Sequence, residues 1–328
     1  MVFSEDYFTP EDRDGFHIRE MMKRYWASYI EVLEEIKRVC KELDIRYYAD
    51  YGTLLGAVRE KGFIKWDDDV DLCMLRGDFE KFRTQAPAIF QNGVMLYNDL
   101  QTSLAPLRVV NTIAPSIDAA FLELYHGCPY PTGADIYVID RVPDDETEAA
   151  RFKELCRMVK YAAQRADHRF VSEAEHDHYY KNDAYEDPEQ FEGLLTGIEE
   201  FFGCDLVRDA TLGAQLTRLL NALQGKYWSN EELKNVTYLH GWMRDYRSVL
   251  PIDYYGEPVD LPFENTTIAA PARYKEVLTE RFGEDYMTPV RWDENTEGHI
   301  YPAYKKSQKV LLDVYEKCGV KPPALYLE

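Results

Sequence analysis

Four carboxylates in five residues, Asp67-Asp68-Asp69-Val70-Asp71, set the strictest condition on how this chain can fold. Charges of one sign at that spacing repel, so a folded chain keeps them together where cations neutralise them. Hard oxygen ligands of this kind suit Mg²⁺ or Mn²⁺. If the backbone is already extended here, Asp69 and Asp71 project to one face, while Asp68, Val70 and Leu72 project to the other. One edge then holds metal and the other packs. The bland alternatives are a solvated loop or a calcium loop. An EF-hand with acids at Asp67, Asp69 and Asp71 would need Gly where Leu72 stands and Glu where Asp78 stands.

The surrounding pattern gives the acids a frame. Apolar residues recur at helical spacing from Phe16 to Leu43, predicting an amphipathic helix. Ile45 to Ala49 has strand composition, Gly52-Thr53 marks a turn, and Leu54 to Glu60 starts a helix that Gly62 stops. Val70 to Leu75 reads as a strand, Asp78 to Phe90 as a helix, and Met95 to Tyr97, Leu107 to Val110 and Ala134 to Ile139 as strands. A third acid on a separate strand would complete the site. Asp135 has that setting, because Ile136 and Val138 beside it can face a core. Exposed N–H groups at Gly52-Thr53, with the Thr53 hydroxyl, can hold phosphate oxygens.

After Pro143 the pattern turns helical, over Glu146 to Arg169, Pro188 to Phe202 and Leu206 to Lys226, around a polar His- and Tyr-rich segment from Glu173 to Asp187. Turn chemistry fills Val249 to Pro262, and Tyr274 to Phe282 is a further helix ended by Gly283. The expected fold class is α+β, a mixed β-sheet core with helices on it plus helical accessory segments. The division that follows is an N-terminal helical segment over 1–44, a catalytic core over 45–143, a helical accessory region over 144–235 and a C-terminal part over 236–328 that completes the domain.

Composition excludes several classes. Across 328 residues, 38 Lys and Arg stand against 59 Asp and Glu, a formal net charge of -21. A field of that sign repels duplex DNA and anionic headgroups, so no nucleic-acid partner is expected. No apolar run is long enough for an integral membrane segment, and the first ten residues lack a signal-peptide pattern; the expected location is cytoplasmic. The six cysteines are scattered without metal-binding spacing and read as reduced, mostly buried thiols.

Taken together, Tyr-x-Asp-Tyr-Gly-Thr-Leu-Leu-Gly-Ala-Val-Arg ending at Arg59, Gly62 to Asp71, Leu107 to Thr112 and Asp135-Ile136-Tyr137 resemble the LicD/fukutin-related phosphotransferases. So do Phe263-Glu264, Ala270 to Tyr274, Leu278 and Phe282 to Pro289. The resemblance spans about residues 30 to 140 and 260 to 300, with a divergent helical middle. It implies a nucleotidyltransferase-like fold and transfer of a phospho-alcohol, phosphocholine foremost, from a CDP-alcohol donor such as CDP-choline. The acceptor would be a hydroxyl of a glycan or lipid-linked glycan, a teichoic-acid, lipopolysaccharide or capsule precursor, with CMP released. It further implies that Asp69 and Asp71 bind Mg²⁺ or Mn²⁺, with Asp67 an additional ligand. Asp135 would be the third catalytic carboxylate and a metal ligand, and Gly52 and Thr53 would contact the donor phosphate. Lys65 departs from the family, which has Pro there, and the Cys-rich zinc loop of the fukutin-related branch is missing.

Arg59, Lys65 and Arg108 are further candidates for holding donor phosphates; Arg59 otherwise caps its helix, and Arg108 otherwise forms a surface ion pair. His299 and Lys305-Lys306 near the C-terminus, and His176 and His178, read as solvated surface. Trp66 is expected to pack behind the acidic run. Two other functions stay open: nucleotidyl transfer releasing pyrophosphate from a nucleoside triphosphate, and a non-catalytic module of glycan assembly.

Overall fold

The computed structural model describes residues 2–98, 106–169, 188–245, 248–290 and 303–327. The chain divides into two compact units, the first made of Met1–Tyr97, Leu107–Ile139 and Leu250–Glu328, the second built on Asp140–Val249. The fold is mixed α and β, as expected.

In the first unit a short hairpin, β1 (Glu11–Arg13) and β2 (Phe16–Ile18), precedes helix α1 (Glu20–Glu42). The helical spacing from Phe16 was expected to open the helix, yet Phe16 to Ile18 pair as a strand and the helix begins at Glu20. Met21, Met22, Tyr25, Trp26, Tyr29, Leu33, Ile36 and Cys40 form its buried stripe. The chain continues through β3 (Tyr48–Ala49), α2 (Tyr51–Arg59), β4 (Asp71–Leu75), α3 (Arg76–Gln85), β5 (Met95–Leu96), β6 (Leu107–Val110), α4 (Ala119–Leu124) and β7 (Gly133–Val142). The strands form a mixed sheet in the order β3-β4-β7-β6-β5. β4 and β7 are parallel neighbours, and the remaining pairs on this path are antiparallel. Along β7, Ile136 and Val138 are buried while Asp135 and Tyr137 lie on the partly open face, the alternation expected of a sheet with one packed side.

The last three residues of β7 belong to the second unit. Next come α5 (Glu146–Arg169), α6 (Pro188–Phe202), α7 (Leu212–Gln224), β8 (Asn235–Thr237), which pairs antiparallel with Asp140 to Val142, and α8 (Leu239–Trp242). Phe152, Cys156, Val159, Leu220 and Leu223 form one of its apolar clusters, and Ala162, Ala163, Leu195, Ile198 and Leu216 belong to another. The first unit resumes with β9 (Leu250–Pro251), the hairpin β10 (Val259–Phe263) and β11 (Thr266–Ala270), then α9 (Tyr274–Phe282), α10 (Ala303–Lys306) and α11 (Gln308–Lys317). The first strand of that hairpin, β10, lies largely in sequence expected as turns. Among the described residues no helix is long and apolar enough to cross a membrane. All six cysteines are free, four of them buried.

Helix α2 is set by close packing rather than by side-chain interdigitation. A Cβ on Gly56 would stand 2.4 Å from the Gly62 carbonyl oxygen and 3.2 Å from the Ile64 nitrogen, so the helix lies flush against segment 62–64. Backbone cannot withdraw the way a flexible side chain can. We therefore expect Gly56→Ala to destabilise the protein by about 2 kcal/mol, despite the ~1 kcal/mol that Ala gains over Gly in a helix. Urea unfolding of the two proteins checks this; a variant as stable as the wild type would refute the tight contact.

Candidate active site

The charged groups of the site are delivered by three neighbouring strands and one loop. Asp71 opposes Asp135 across the parallel β4–β7 ladder, and Arg108 opposes Asp135 across β6–β7, so all three occupy one row. Backbone bonds fix the row: the Asp135 amide donates to the Val70 carbonyl at 2.9 Å, and the Asp50 amide donates to the Asp71 carbonyl at 2.9 Å. The Asp71 amide in turn donates to the Thr53 hydroxyl at 2.9 Å. Thr53 is buried, so its oxygen serves to hold the strand carrying Asp71.

Before β4 the chain is irregular, and residues 67–70 are not yet strand. The expected alternation therefore does not govern Asp68, whose carboxylate joins the others instead of pointing away. Asp67, Asp68 and Asp69 each offer an oxygen within 4.8 Å of the others. Their position is locked from two sides. The buried Trp26 donates its indole N–H to the Asp67 carbonyl at 2.8 Å and stacks on Phe63, with ring centroids 5.2 Å apart. Trp26 is thus the tryptophan behind the acidic run, whereas Trp66 lies edge-on to Phe16. From the other side Gly52 approaches so closely that a Cβ there would stand 2.4 Å from Asp67 Oδ2. An all-oxygen carboxylate set with such a cradle fits Mg²⁺ or Mn²⁺.

Helix α2 begins at Tyr51, three residues earlier than expected, with Gly52 and Thr53 in its first turn. Tyr51 takes a left-handed φ of 42°, a conformation that costs a non-glycine residue about 1 kcal/mol. Its amide donates to the Asp50 carboxylate at 2.8 Å, and buried Asp50 is ion-paired with Arg281 of α9. The Arg281 guanidinium also lies over the Tyr51 ring. Asp50 and Arg281 were not legible as site residues, since their pairing joins distant parts of the sequence.

Electrostatically the row is costly. Burial pushes the Asp71 carboxyl well above the usual carboxylate range, and Asp69, Asp135 and Asp67 push the same way, against the Tyr137 hydroxyl that donates to Oδ1 at 3.2 Å. Burial also raises Asp135, opposed by Arg108, whose Nε lies 3.2 Å from Oδ1. Arg108 is half exposed and pairs with an acid of the row. Arg59 and Lys65 are directed elsewhere: both line a separate cleft, with Lys65 Nζ 2.5 Å from Asp14. Lys305 is half-buried and Lys306 exposed. His176, His178 and His299 lie outside the described residues.

The sheet, the first turn of α2 and the carboxylate row together form the candidate active site. Residues 44–105 match the LicD/FKTN/FKRP nucleotidyltransferase domain. The chain is also 25% identical over 280 residues to lipopolysaccharide cholinephosphotransferase LicD of Haemophilus influenzae, covering 84% of this chain and 94% of that protein. Shorter stretches, 26% and 22% of the chain, are 31% and 32% identical to uncharacterized proteins of Rickettsia typhi and Rickettsia prowazekii, covering 28% and 27% of those proteins. The chain is thus similar to LicD-type proteins, in its family-model match over residues 44–105 and in its likeness to the Haemophilus protein along most of both chains.

The raised Asp71 carboxyl has a signed consequence for metal-free protein. A carboxyl whose folded pKa lies above its unfolded value subtracts stability as pH rises past the unfolded value, and subtracts nothing below it. In chelator at pH 8, Asp71→Asn should be more stable than wild type. The difference should vanish toward pH 4. Urea unfolding across that range checks it, and a variant less stable at every pH would show that the Tyr137 hydrogen bond outweighs the repulsion.

Proposed function

We propose that this chain transfers phosphocholine from CDP-choline to a sugar hydroxyl of a lipopolysaccharide-type glycan precursor, releasing CMP. The observation that carries the reading is the Asp71–Asp135 pair across β4 and β7, set beside the Asp67–Asp69 cluster. Similarity to the Haemophilus cholinephosphotransferase along most of both chains supports the choice of phosphocholine and of a lipopolysaccharide acceptor. Free thiols, four of them buried, accord with a reducing, cytoplasmic setting.

Asp67, Asp68, Asp69 and Asp71 would hold Mg²⁺ or Mn²⁺, with Asp135 a further ligand, and the cation would neutralise the diphosphate and stabilise charge on the leaving group. The first turn of α2 offers backbone N–H groups at Gly52, where no side chain obstructs a phosphate. Asp135 accepts the proton of the sugar hydroxyl. The sugar oxygen bonds to the choline-bearing phosphorus as the bridging P–O bond breaks, and CMP leaves with that oxygen. Arg108 keeps the Asp135 carboxylate oriented along the row.

Mg²⁺ or Mn²⁺ is expected to be required for CMP release, and chelation to abolish it. Calorimetry should find Mn²⁺ binding weakened about tenfold by Asp68→Asn as well as by Asp69→Asn, since each removes one charged ligand. Undiminished CMP release in excess chelator would overturn the metal role, and pyrophosphate release from CTP would assign nucleotidyl transfer instead.

Asp135→Asn should slow single-turnover transfer about a hundredfold or more, the range for loss of a general base, while CDP-choline affinity in Mg²⁺ changes much less. Transfer at the wild-type rate would exclude Asp135 as the base.

A further inference from the structure

A cleft of about 480 Å³ opens at the C-terminal end of α2. It is lined by charged groups from the β1–β2 turn (Arg13, Asp14), the end of α2 and the segment after it (Arg59, Glu60, Lys61, Lys65) and the β10–β11 turn (Glu264). Four cations meet three carboxyls there, with Arg13 paired to Glu11 and Lys65 to Asp14, so that Arg59 and Lys61 are the cations left to meet an incoming anion.

Two of the three carboxyls are already engaged. Asp14 is taken by Lys65. Glu264 accepts the Phe63 amide at 3.0 Å, and burial raises its carboxyl. Glu60 stands 3.6 Å from Arg59, beyond hydrogen-bond reach. The Arg59 side chain is only 6% exposed, yet among the described residues its Nε and Nη2 have no hydrogen-bond acceptor, and Nη1 reaches the Tyr286 carbonyl only at 3.5 Å. A buried guanidinium with unused donors is unfavourable unless an acceptor completes it. The planar fork matches the oxygens of a phosphate group.

We propose that this cleft is an anion subsite that takes a phosphate group, with the Arg59 fork, brought round by a small turn of its side chain, as the principal grip and exposed Lys61 as a second. Helix α2 joins it to the acids: its first turn meets Asp67, its last residue lines the cleft, and nine helical residues span ~13 Å. Placed against the proposed transfer reaction, on which this clause alone rests, the subsite would hold a phosphate about 10 Å from the reacting one. That phosphate comes from a phosphorylated acceptor glycan, because the two phosphorus atoms of the donor diphosphate share one bridging oxygen and cannot span that gap.

The test is titration of the full chain with inorganic phosphate in chelator, followed by calorimetry and NMR, for wild type, Arg59→Met and Lys61→Gln, with thermal unfolding to verify each fold. Saturable binding should weaken about tenfold in Arg59→Met and about threefold in Lys61→Gln, in keeping with loss of a bidentate and of a single charged contact. Absence of saturable binding to wild type, or equal binding by the folded variants, overturns the proposal. Should Arg59→Met fail to fold, Lys61→Gln decides: weakened binding supports the subsite and undiminished binding overturns it. Displacement of phosphate by a phosphorylated glycan supports the acceptor as its source, while displacement by CDP-choline overturns that assignment. Since no turnover is involved, normal phosphate binding without CMP release would sink the proposed reaction and leave the subsite standing.

Discussion

A helix can lie flush against an extended segment only where it turns no side chain toward it. Helix α2 meets that condition at Gly52 and Gly56, one turn apart on one face. Both glycines meet the same stretch of chain, Gly56 at residues 62–64 and Gly52 at Asp67. The acids are therefore positioned by backbone apposition, which leaves little room for adjustment. Trp26 closes the other side through its bond to the Asp67 carbonyl, so that segment is clamped between α1 and α2. The register of β4, and with it the opposition of Asp71 to Asp135, continues directly from that clamp.

The clamp sustains an arrangement that electrostatics alone would disperse. Asp71 carries the repulsion of Asp69, Asp135 and Asp67 on top of its burial. Opposing it are Tyr137, Arg108 on the far side of Asp135, and the amide-to-hydroxyl bond from Asp71 to Thr53. These contributions are local and modest, whereas the apolar packing of α1 and the sheet is large. The unfavourable row persists because the surrounding core determines where the backbone must lie.

Much of this was legible in the sequence because it rests on short-range pattern. The acidic run, the strands at Leu107 to Val110 and around Ala134 to Ile139, and the helices over Glu146 to Arg169 and Tyr274 to Phe282 follow from alternation and helical spacing. The hairpin β1–β2 did not, because Glu11-Asp12-Arg13 is polar and only three residues long. β10 did not either, since Pro262 and an exposed face weaken its strand signature. Asp68 was misplaced for a definite reason: period-two alternation was applied to residues the chain has not yet extended. Arg59 and Lys65 were drawn toward the acids by sequence proximity, although the length of α2 carries one of them to its opposite end. The ion pair of Asp50 with Arg281 depends on tertiary contact that no window of sequence contains.

Parallel pairing of β4 with β7 has a consequence for the order in which this protein acquires its chemistry. Antiparallel neighbours can zip from a nearby turn, but two parallel strands must wait for the intervening chain to be traversed and docked. Between β4 and β7 run α3, β5, β6 and α4, and β6 must find its place beside β7 in the same sheet. The Asp71–Asp135 opposition is thus among the last contacts to mature. A nascent or partly collapsed chain holds the acidic run without its cross-strand partner, so the complete carboxylate row is withheld until folding is nearly complete.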